Sequence, residues 1–400
     1  MTKTTMARAR AWTGPALFSY GFRPFFLFGG VYAGLLVAVW TLFQFGLAPL
    51  PSALPPLAWH AHELLFGYAP AVVAGFLLTA VPNWTGRLPV VGMPLVWLSA
   101  LWLVGRFAVA FFGFVGPFAL YALTIAFPLA LAIVIGREIV AGGNWRNLKV
   151  LAAIVMLAVA QTLFHVELWR TGHPEMGERL AIATLVLLIA IIGGRIIPSF
   201  TINWIKRANP GRMPVPFSTF DKVAMVAAGV ALLAWTALPL LGGRSSVVGA
   251  FLGATALMHF VRLARWAPDR TLREPLVTVL HVAYAFVPLG FVLAALEAWR
   301  GDAALETATI HTWAVGAIGL MTVAVMTRAT RGHTGHALTA PPSTVAVYGA
   351  LFVAALARIC AALLPAHASL LIGVAGAAWA LAFLGFALVY GPLLASPRKS

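Results

Sequence analysis

The chain is short of acidic residues and nearly devoid of cysteine. Among its 400 residues, 11 are Asp or Glu, and Cys360 is the one cysteine. One cysteine excludes an intramolecular disulfide and a thiolate metal cluster. Charged residues make up 10% of the chain, against roughly 25% in soluble domains. This composition excludes an ordinary soluble globular domain.

Hydrophobic residues make up 61% of the chain. Apolar runs recur along it, and they reach the ~20 residues that a helix needs to cross a bilayer. The sequence predicts an all-α polytopic membrane protein with about 12 transmembrane helices. The predicted organisation is a cytoplasmic N-terminal segment at 1–22, a single transmembrane domain at 23–395 and a cytoplasmic tail at 396–400. The predicted spans are 23–47, 58–83, 93–113, 115–138, 148–170, 178–200, 220–241, 246–265, 275–299, 306–328, 343–364 and 369–395.

The formal net charge of +16 is compatible with nucleic-acid binding, but the basic residues lie in short loops rather than on one face. Their distribution follows the positive-inside rule instead. With the N-terminus in the cytoplasm, 21 of the 27 Lys and Arg residues fall in cytoplasmic segments and four in outer segments. Because this asymmetry alternates loop by loop, it predicts that both termini are cytoplasmic. Nucleic acid is not expected as a partner.

Ionisable side chains gather near the outer ends of several predicted helices, within roughly 10 Å of the membrane boundary. Buried charge is costly in a bilayer and is usually kept for function. Arg106 and Arg358 also lie in outer halves of their helices and need anionic partners there. The other members of this outer layer are His60, His62, Glu63, His165, Glu167, Glu297 and His311.

Histidine is the usual protein ligand of haem iron, copper and zinc. His60 and His62 are two residues apart, about 200° around a helix, so they cannot easily bind one metal from a regular helix. Several histidines with two buried arginines suit a haem b, with histidines on the iron and arginines on the propionates. Three other interpretations stay open: hydrogen-bonded histidines in a polar pocket, a quinone pocket, and the site of a proton-coupled transporter.

A second polar layer is predicted near the cytoplasmic face. His259 and His281 could form a bis-histidine site, or could be satisfied by ordinary hydrogen bonds. Arg195 is predicted near the end of the sixth helix. The segment 326–336, which contains His333, lacks an apolar helical face and is predicted to be a loop. Its basic and hydroxyl groups could bind an anion, or could belong to an ordinary basic cytoplasmic loop.

Four segments resemble the NnrS family of haem- and copper-containing membrane proteins linked to nitric oxide. The resemblance extends over essentially the whole chain, and the order of its motifs makes it specific. The matching stretches are Phe22-Arg23-Pro24-Phe25-Phe26-Leu27, His60-Ala61-His62-Glu63-Leu64-Leu65-Phe66-Gly67, Gly193-Gly194-Arg195-Ile196-Ile197-Pro198-Ser199-Phe200-Thr201, and the region from His311 to Gly335.

The resemblance implies a multi-pass protein of the bacterial inner membrane that carries haem b, with copper as a second cofactor. Its implied role is protection against nitrosative stress during denitrification, as a haem-dependent oxidoreductase acting on nitric oxide or a derived species. The expected partners are membrane lipid, this small molecule and an electron donor of unknown identity. His60, His62, His311 and His333 are the matched motif histidines.

The residues that we expect to carry this function lie in the outer layer. His60 or His62, together with His311, is expected to bind the metal. Glu63 is expected to orient a ligand or to donate a proton, while Arg106 and Arg358 are expected to bind propionates. Two other hypotheses are a proton-coupled transporter of a small anion or metal, and an assembly partner of a denitrification reductase.

Overall fold

A computed structural model describes residues 12–52 and 54–398, apart from the side chain of Phe112. Within these ranges the chain is helical, with short turns and no β-strand. Lys3, Arg8, Arg10 and Lys399, which were counted as cytoplasmic charges, lie outside the described residues.

Twelve helices of the described chain are long and apolar enough to cross a membrane. This number confirms the sequence prediction of an all-α polytopic membrane protein. The helices are α1 (Phe22–Gln44), α2 (Pro56–Thr85), α3 (Met93–Ala110), α4 (Gly113–Ala141), α5 (Trp145–Thr171), α6 (Glu175–Ala208), α7 (Thr219–Thr236), α8 (Ser246–Arg270), α9 (Pro275–Arg300), α10 (Ala303–His333), α11 (Pro342–Leu363) and α12 (Pro365–Ala395).

Two helices extend beyond their predicted ends. Helix α6 continues through Pro198 to Ala208, so Arg195 lies inside the helix rather than near its end. Helix α10 continues to His333, and the prediction of a loop from residue 326 onward was wrong for this part. Thr327 and Thr330 are buried there. Burial against neighbouring elements therefore stabilises a helix that the local sequence pattern did not predict.

Helices α2 and α10 share an unusual internal organisation. In α2, an α-helix ends at His62 and a π-helical segment follows over Glu63–Tyr68. In α10, an α-helix ends at His311 and a π-helical segment follows over Thr312–Gly319. A π-helical turn inside an α-helix is rare and is frequently found at a functional site. The backbone conformation therefore singles out His62 and His311, the two motif histidines that directly precede these segments.

The described chain divides into two compact units. The first unit consists of the described parts of Met1–Ala181, Met326–Ala337 and Phe383–Ser400. The second unit consists of Ile182–Val325 and Leu338–Ala382.

In the first unit, the start of α1 binds the end of α12. The Nη1 atom of Arg23 donates hydrogen bonds to the carbonyl oxygens of Leu394 at 2.8 Å and Ser396 at 2.6 Å. The last carbonyl groups of a helix have no partners within it, and a cation there is also favoured by the helix dipole. Arg23 therefore caps the C-terminal end of α12, which gives the Phe22-Arg23-Pro24 motif a structural role.

Candidate functional site

The polar centre of the first unit is the carboxylate of Glu63. This side chain is fully buried at the start of the π-helical segment of α2. Its Oε1 atom lies 2.7 Å from Nδ1 of His62 and also accepts a hydrogen bond from Arg106 of α3. Its Oε2 atom accepts a hydrogen bond from the hydroxyl of Tyr32 of α1. Three helices thus direct donors at one carboxylate, and Arg106 gains the anionic partner that its place in the membrane requires.

The bond to Glu63 determines how His62 can act. A carboxylate accepts a hydrogen bond from Nδ1–H, so the imidazole keeps its proton there and presents a lone pair at Nε2. Nε2 of His62 is buried and has no hydrogen-bond partner among the described residues. A carboxylate behind a histidine is the usual arrangement around metal-binding imidazoles. His62 therefore has the tautomer of a metal ligand.

The ring of His165 of α5 lies beside that of His62. The ring centroids of His62 and His165 are 5.1 Å apart, with an interplanar angle of 73°. His165 is fully buried, and neither of its ring nitrogens has a hydrogen-bond partner among the described residues. Buried polar atoms without partners are costly. Two adjacent imidazoles with unused nitrogens therefore form a site where a ligand would remove this cost.

This pair is the whole of the histidine-rich site in the first unit. Within the described ranges, no group of three or more His, Cys, Asp or Glu side chains is arranged to hold a metal ion. An ion at the pair would therefore take two imidazoles from the protein and keep other positions open.

The neighbouring residues of α2 have separate structural contacts. The ring of His60 stacks on Trp40 of α1, with centroids 4.4 Å apart, so His60 and His62 do face different neighbours, as their spacing predicted. The carbonyl oxygen of Gly67 accepts a 2.8 Å hydrogen bond from Trp102 of α3. A Cβ atom at Gly67 would lie 2.3 Å from Nη1 of Arg106. Gly67 is therefore required for the close approach of the guanidinium group to Glu63.

The outer layer of the second unit is less polar. Nδ1 of His311 lies 2.8 Å from the carbonyl oxygen of Thr307, one turn earlier in α10. This bond places the proton on Nδ1 and the lone pair on Nε2. Arg358 of α11 is half-buried within its span. Glu297 of α9 is buried and accepts a 3.1 Å hydrogen bond from Trp235.

The predicted inner histidines of the second unit are engaged by protein atoms. His259 contacts the hydroxyl of Tyr284 through Nδ1 at 2.8 Å and the carbonyl of Ala224 through Nε2 at 3.1 Å. His281 contacts the carbonyl of Val277 through Nδ1 at 3.2 Å and the hydroxyl of Thr201 through Nε2 at 3.4 Å. Both histidines therefore have the satisfied arrangement that was the alternative to a bis-histidine site.

A buried ion pair accompanies these histidines. Nε of Arg262 donates to Asp221 at 3.1 Å, and Nη1 donates to the hydroxyl of Tyr284 at 2.9 Å. Arg262 was counted as a cytoplasmic loop cation, but its side chain is fully buried within α8. Hydropathy and charge counts miss such a pair because the two partners are 41 residues apart along the chain.

His333 lies in the first unit, at the end of α10. Its ring is 5.4 Å from that of Tyr20 and 5.5 Å from that of Phe22. Burial raises the pKa of Tyr20 to about 12, so this phenol stays protonated at neutral pH. The motifs that begin at Phe22 and end at Gly335 therefore meet at an aromatic cluster. Arg195 is half-buried in α6 of the second unit.

Sequence reasoning missed two polar residues of the first unit. The hydroxyl of Tyr32 donates a hydrogen bond to Glu63. Nothing in the local sequence of its apolar helix points to this contact. Gln161 of α5 is 1% exposed, and its Nε2 atom has no hydrogen-bond partner in the described chain. Gln161 could have been noticed, because an isolated amide in a membrane helix is costly unless it has a partner.

Twelve apolar helices and a buried histidine–carboxylate–arginine cluster define a polytopic membrane protein with an intramembrane polar site. The model of the NnrS family, described as NnrS protein, matches residues 16–398. The chain belongs to the NnrS family, and this membership supports a membrane protein of the nitric oxide response. No curated protein matched the chain.

Proposed function

We propose that this protein binds copper and haem b and acts on nitric oxide, or on a species derived from it, as a metal-dependent oxidoreductase of the bacterial inner membrane. This activity would protect the cell against nitrosative stress during denitrification. The observation that carries the proposal is the pair of adjacent buried imidazoles, His62 and His165, which have unused nitrogens while Nδ1 of His62 is held by the Glu63 carboxylate.

The distance between the two imidazoles supports a small metal ion rather than haem at this pair. A metal–nitrogen bond is about 2.0 Å long. Two imidazoles on one ion at a tetrahedral angle would therefore have centroids about 5 Å apart, and two on opposite faces of a porphyrin would be roughly 6 Å apart. The observed distance is 5.1 Å. Imidazole nitrogen is a good ligand for copper.

Haem b would be bound in the second unit. His311 would be the iron ligand there, because its Nδ1 bond to Thr307 makes Nε2 the basic nitrogen. His311 lies about 12 Å from the outer end of α10, and Arg358 about 8 Å from the outer end of α11. Helices α10 and α11 pack against each other in this unit, so Arg358 is well placed to bind a propionate.

The residues of the chain would have distinct tasks around the copper. His62 and His165 bind it, and Glu63 orients His62. Arg106 keeps the carboxylate ionised, and its positive charge brings the net charge of the cluster near zero. Tyr32 donates a hydrogen bond to the second carboxylate oxygen. When bound, the metals supply open coordination positions for nitric oxide. Because nitric oxide is small and apolar, it can reach a buried site through the membrane without a water-filled channel.

The first test is metal analysis and optical spectroscopy of the purified full-length protein in detergent. We expect copper, together with a b-type reduced-minus-oxidised spectrum and a matching pyridine haemochrome. His62→Ala and His165→Ala should each lose copper and keep haem, whereas His311→Ala should lose haem and keep copper. His173→Ala is the matched control, because His173 is exposed and should retain both cofactors.

Three results would contradict the proposal. Full copper retention in His62→Ala and His165→Ala would show that these residues are not copper ligands. Full haem retention in His311→Ala would show that His311 is not the iron ligand. A colourless, metal-free protein after expression with added haem and copper would contradict the function itself. That result would favour the proton-coupled transporter, for which the buried Glu63–Arg106 pair would be the ionisable site.

A further inference from the structure

Gln161 is a buried hydrogen-bond donor that none of the roles above employs. Its side chain is 1% exposed, and no acceptor among the described residues contacts its Nε2 atom. Burying an amide without a hydrogen-bond partner costs free energy. Such a group usually contacts a water molecule or a ligand that completes its hydrogen bonding.

Gln161 lies next to the His62–His165 pair. It precedes His165 by four residues in α5, so both side chains emerge from the same face of the helix, one turn apart. This face packs against α2, because Phe164 contacts both His62 and Phe66, with ring centroids 5.7 Å and 5.3 Å apart. The amide therefore lies one helical turn, about 5.4 Å, deeper in the membrane than the imidazoles.

Aromatic side chains flank the His62–His165 pair. Phe66 follows His62 by one helical turn, and Phe164 directly precedes His165 in the sequence. Both phenylalanine side chains are almost fully buried. The pair is therefore bordered by aromatic rings, among them Tyr121 of α4 at 5.4 Å from His165, and by the neutral amide of Gln161. An aromatic border of this kind suits a small uncharged molecule with one acceptor atom.

We propose that Gln161 donates a hydrogen bond to a diatomic molecule bound at the His62–His165 centre and thereby determines how tightly that molecule is held. The inference rests on the proposed function, because it needs a metal at the two imidazoles. Donors in the distal pocket decide the fate of a bound diatomic molecule in metalloproteins generally. Here Gln161 would be the donor, next to the buried rings of Phe66 and Phe164.

The test uses carbon monoxide as the probe on the reduced, metal-loaded, full-length protein. The infrared band of CO at this centre is identified by its isotope shift with ¹³CO and by its absence in His62→Ala. Gln161→Leu removes the donor and keeps an apolar side chain in an apolar helix. We expect its C–O stretching frequency to rise and CO to dissociate about fivefold faster, as the loss of one ordinary hydrogen bond implies.

Two further variants separate this role from a structural one. Gln161→Asn keeps the amide on a shorter side chain, and its stretching frequency should lie between those of wild type and Gln161→Leu. Thr162→Val is the matched control, because the Thr162 hydroxyl already has partners in Ala158 and Tyr121. Its CO band and dissociation rate should equal those of the wild type.

The two hypotheses fail in different ways. Wild-type protein without copper would overturn the proposed function and this inference with it. Copper-loaded Gln161→Leu with an unchanged CO band and an unchanged dissociation rate would overturn this inference alone, and the amide would then be bound to internal water.

Discussion

Glu63 is the residue on which the polar interior of the first unit depends. It accepts hydrogen bonds from three different helices. A buried carboxylate is stable only when charge and hydrogen bonds compensate its lost hydration. Arg106 supplies the charge, while Tyr32 and His62 satisfy the remaining acceptor positions. The same bonds hold His62 in one tautomer, so stability and ligand geometry come from the same contacts.

Replacing Glu63 with Gln should therefore impair both properties. The substitution leaves the buried Arg106 guanidinium without its anion, which typically costs about 3–5 kcal/mol. It also replaces the carboxylate with a neutral amide, a weaker acceptor for the Nδ1 proton of His62, so copper affinity should fall by roughly 10–100-fold. Thermal unfolding in detergent and copper titration of the same preparation would measure the two effects.

Glu138→Gln is the matched control for this substitution. Glu138 pairs with Arg87 at 2.5 Å in the same unit, but the Arg87 side chain is 37% exposed. Because exposed pairs contribute only about 0–1 kcal/mol, this variant should unfold near the wild-type temperature and bind copper normally. Equal stability of the two variants would show that the Glu63 cluster is not the ionic centre of the unit.

At the scale of the helix, the roles of α2 and α10 depend on a local change from α-helical to π-helical winding. Each contains a π-helical segment that begins directly after a motif histidine. The extra residue per turn rotates everything that follows about the helix axis, and it frees backbone carbonyls near the histidine. In α2 this places Glu63 and Gly67 where Arg106 can reach the carboxylate. Helix geometry, and not only residue identity, therefore builds the site.

In α6, the glycine at position 194 leaves room for the buried guanidinium group of Arg262. A Cβ atom at Gly194 would lie 2.0 Å from Nη2 of Arg262, whose guanidinium is held by Asp221 and Tyr284. Gly194→Ala should therefore destabilise the protein by about 1–3 kcal/mol, although the same change in a helix normally stabilises it by roughly 1 kcal/mol. A lower unfolding temperature in detergent would report this loss.

Gly229→Ala in α7 provides the comparison. The nearest atom to a Cβ there is 4.0 Å away, so the added methyl group meets ordinary contacts, and the unfolding temperature should stay the same or rise. If Gly194→Ala were as stable as Gly229→Ala, the close packing of Arg262 against α6 would be refuted.

At the scale of the whole molecule, two features organise the protein: the twelve apolar helices of the described residues and the charge of the loops. Twelve candidate spans are present in the described chain, and the basic residues predict that both ends face the cytoplasm. Orientation can be tested with single cysteines in a Cys360→Ser background. His173→Cys should react with a membrane-impermeant maleimide in intact spheroplasts, whereas Ser396→Cys should react only after permeabilisation.

The two positions are well matched for this experiment. Both residues are exposed, so a difference in labelling reports the side of the membrane rather than burial. Labelling of Ser396→Cys in intact spheroplasts would reverse the predicted orientation. It would also move the His62–His165 pair to the cytoplasmic half of the membrane.

Hydropathy and charge along the chain were enough to predict the number of spans, because the cost of polar atoms in a bilayer acts on each segment separately. Helical periodicity predicted that His60 and His62 face different neighbours. It failed at the ends of α6 and α10, where burial of Thr327 and Thr330 prolongs a helix against its local pattern.

The partners of each buried polar group were decided only by tertiary structure. Glu63, Arg106 and His165 belong to three different helices. Tyr32 and Gln161 do not lie in any of the sequence motifs. Which side chains meet depends on how each helix is rotated about its axis, and that rotation follows from packing and from the π-helical segments. Residue order determines which groups must be buried, whereas the packing of helices determines which of them share a site.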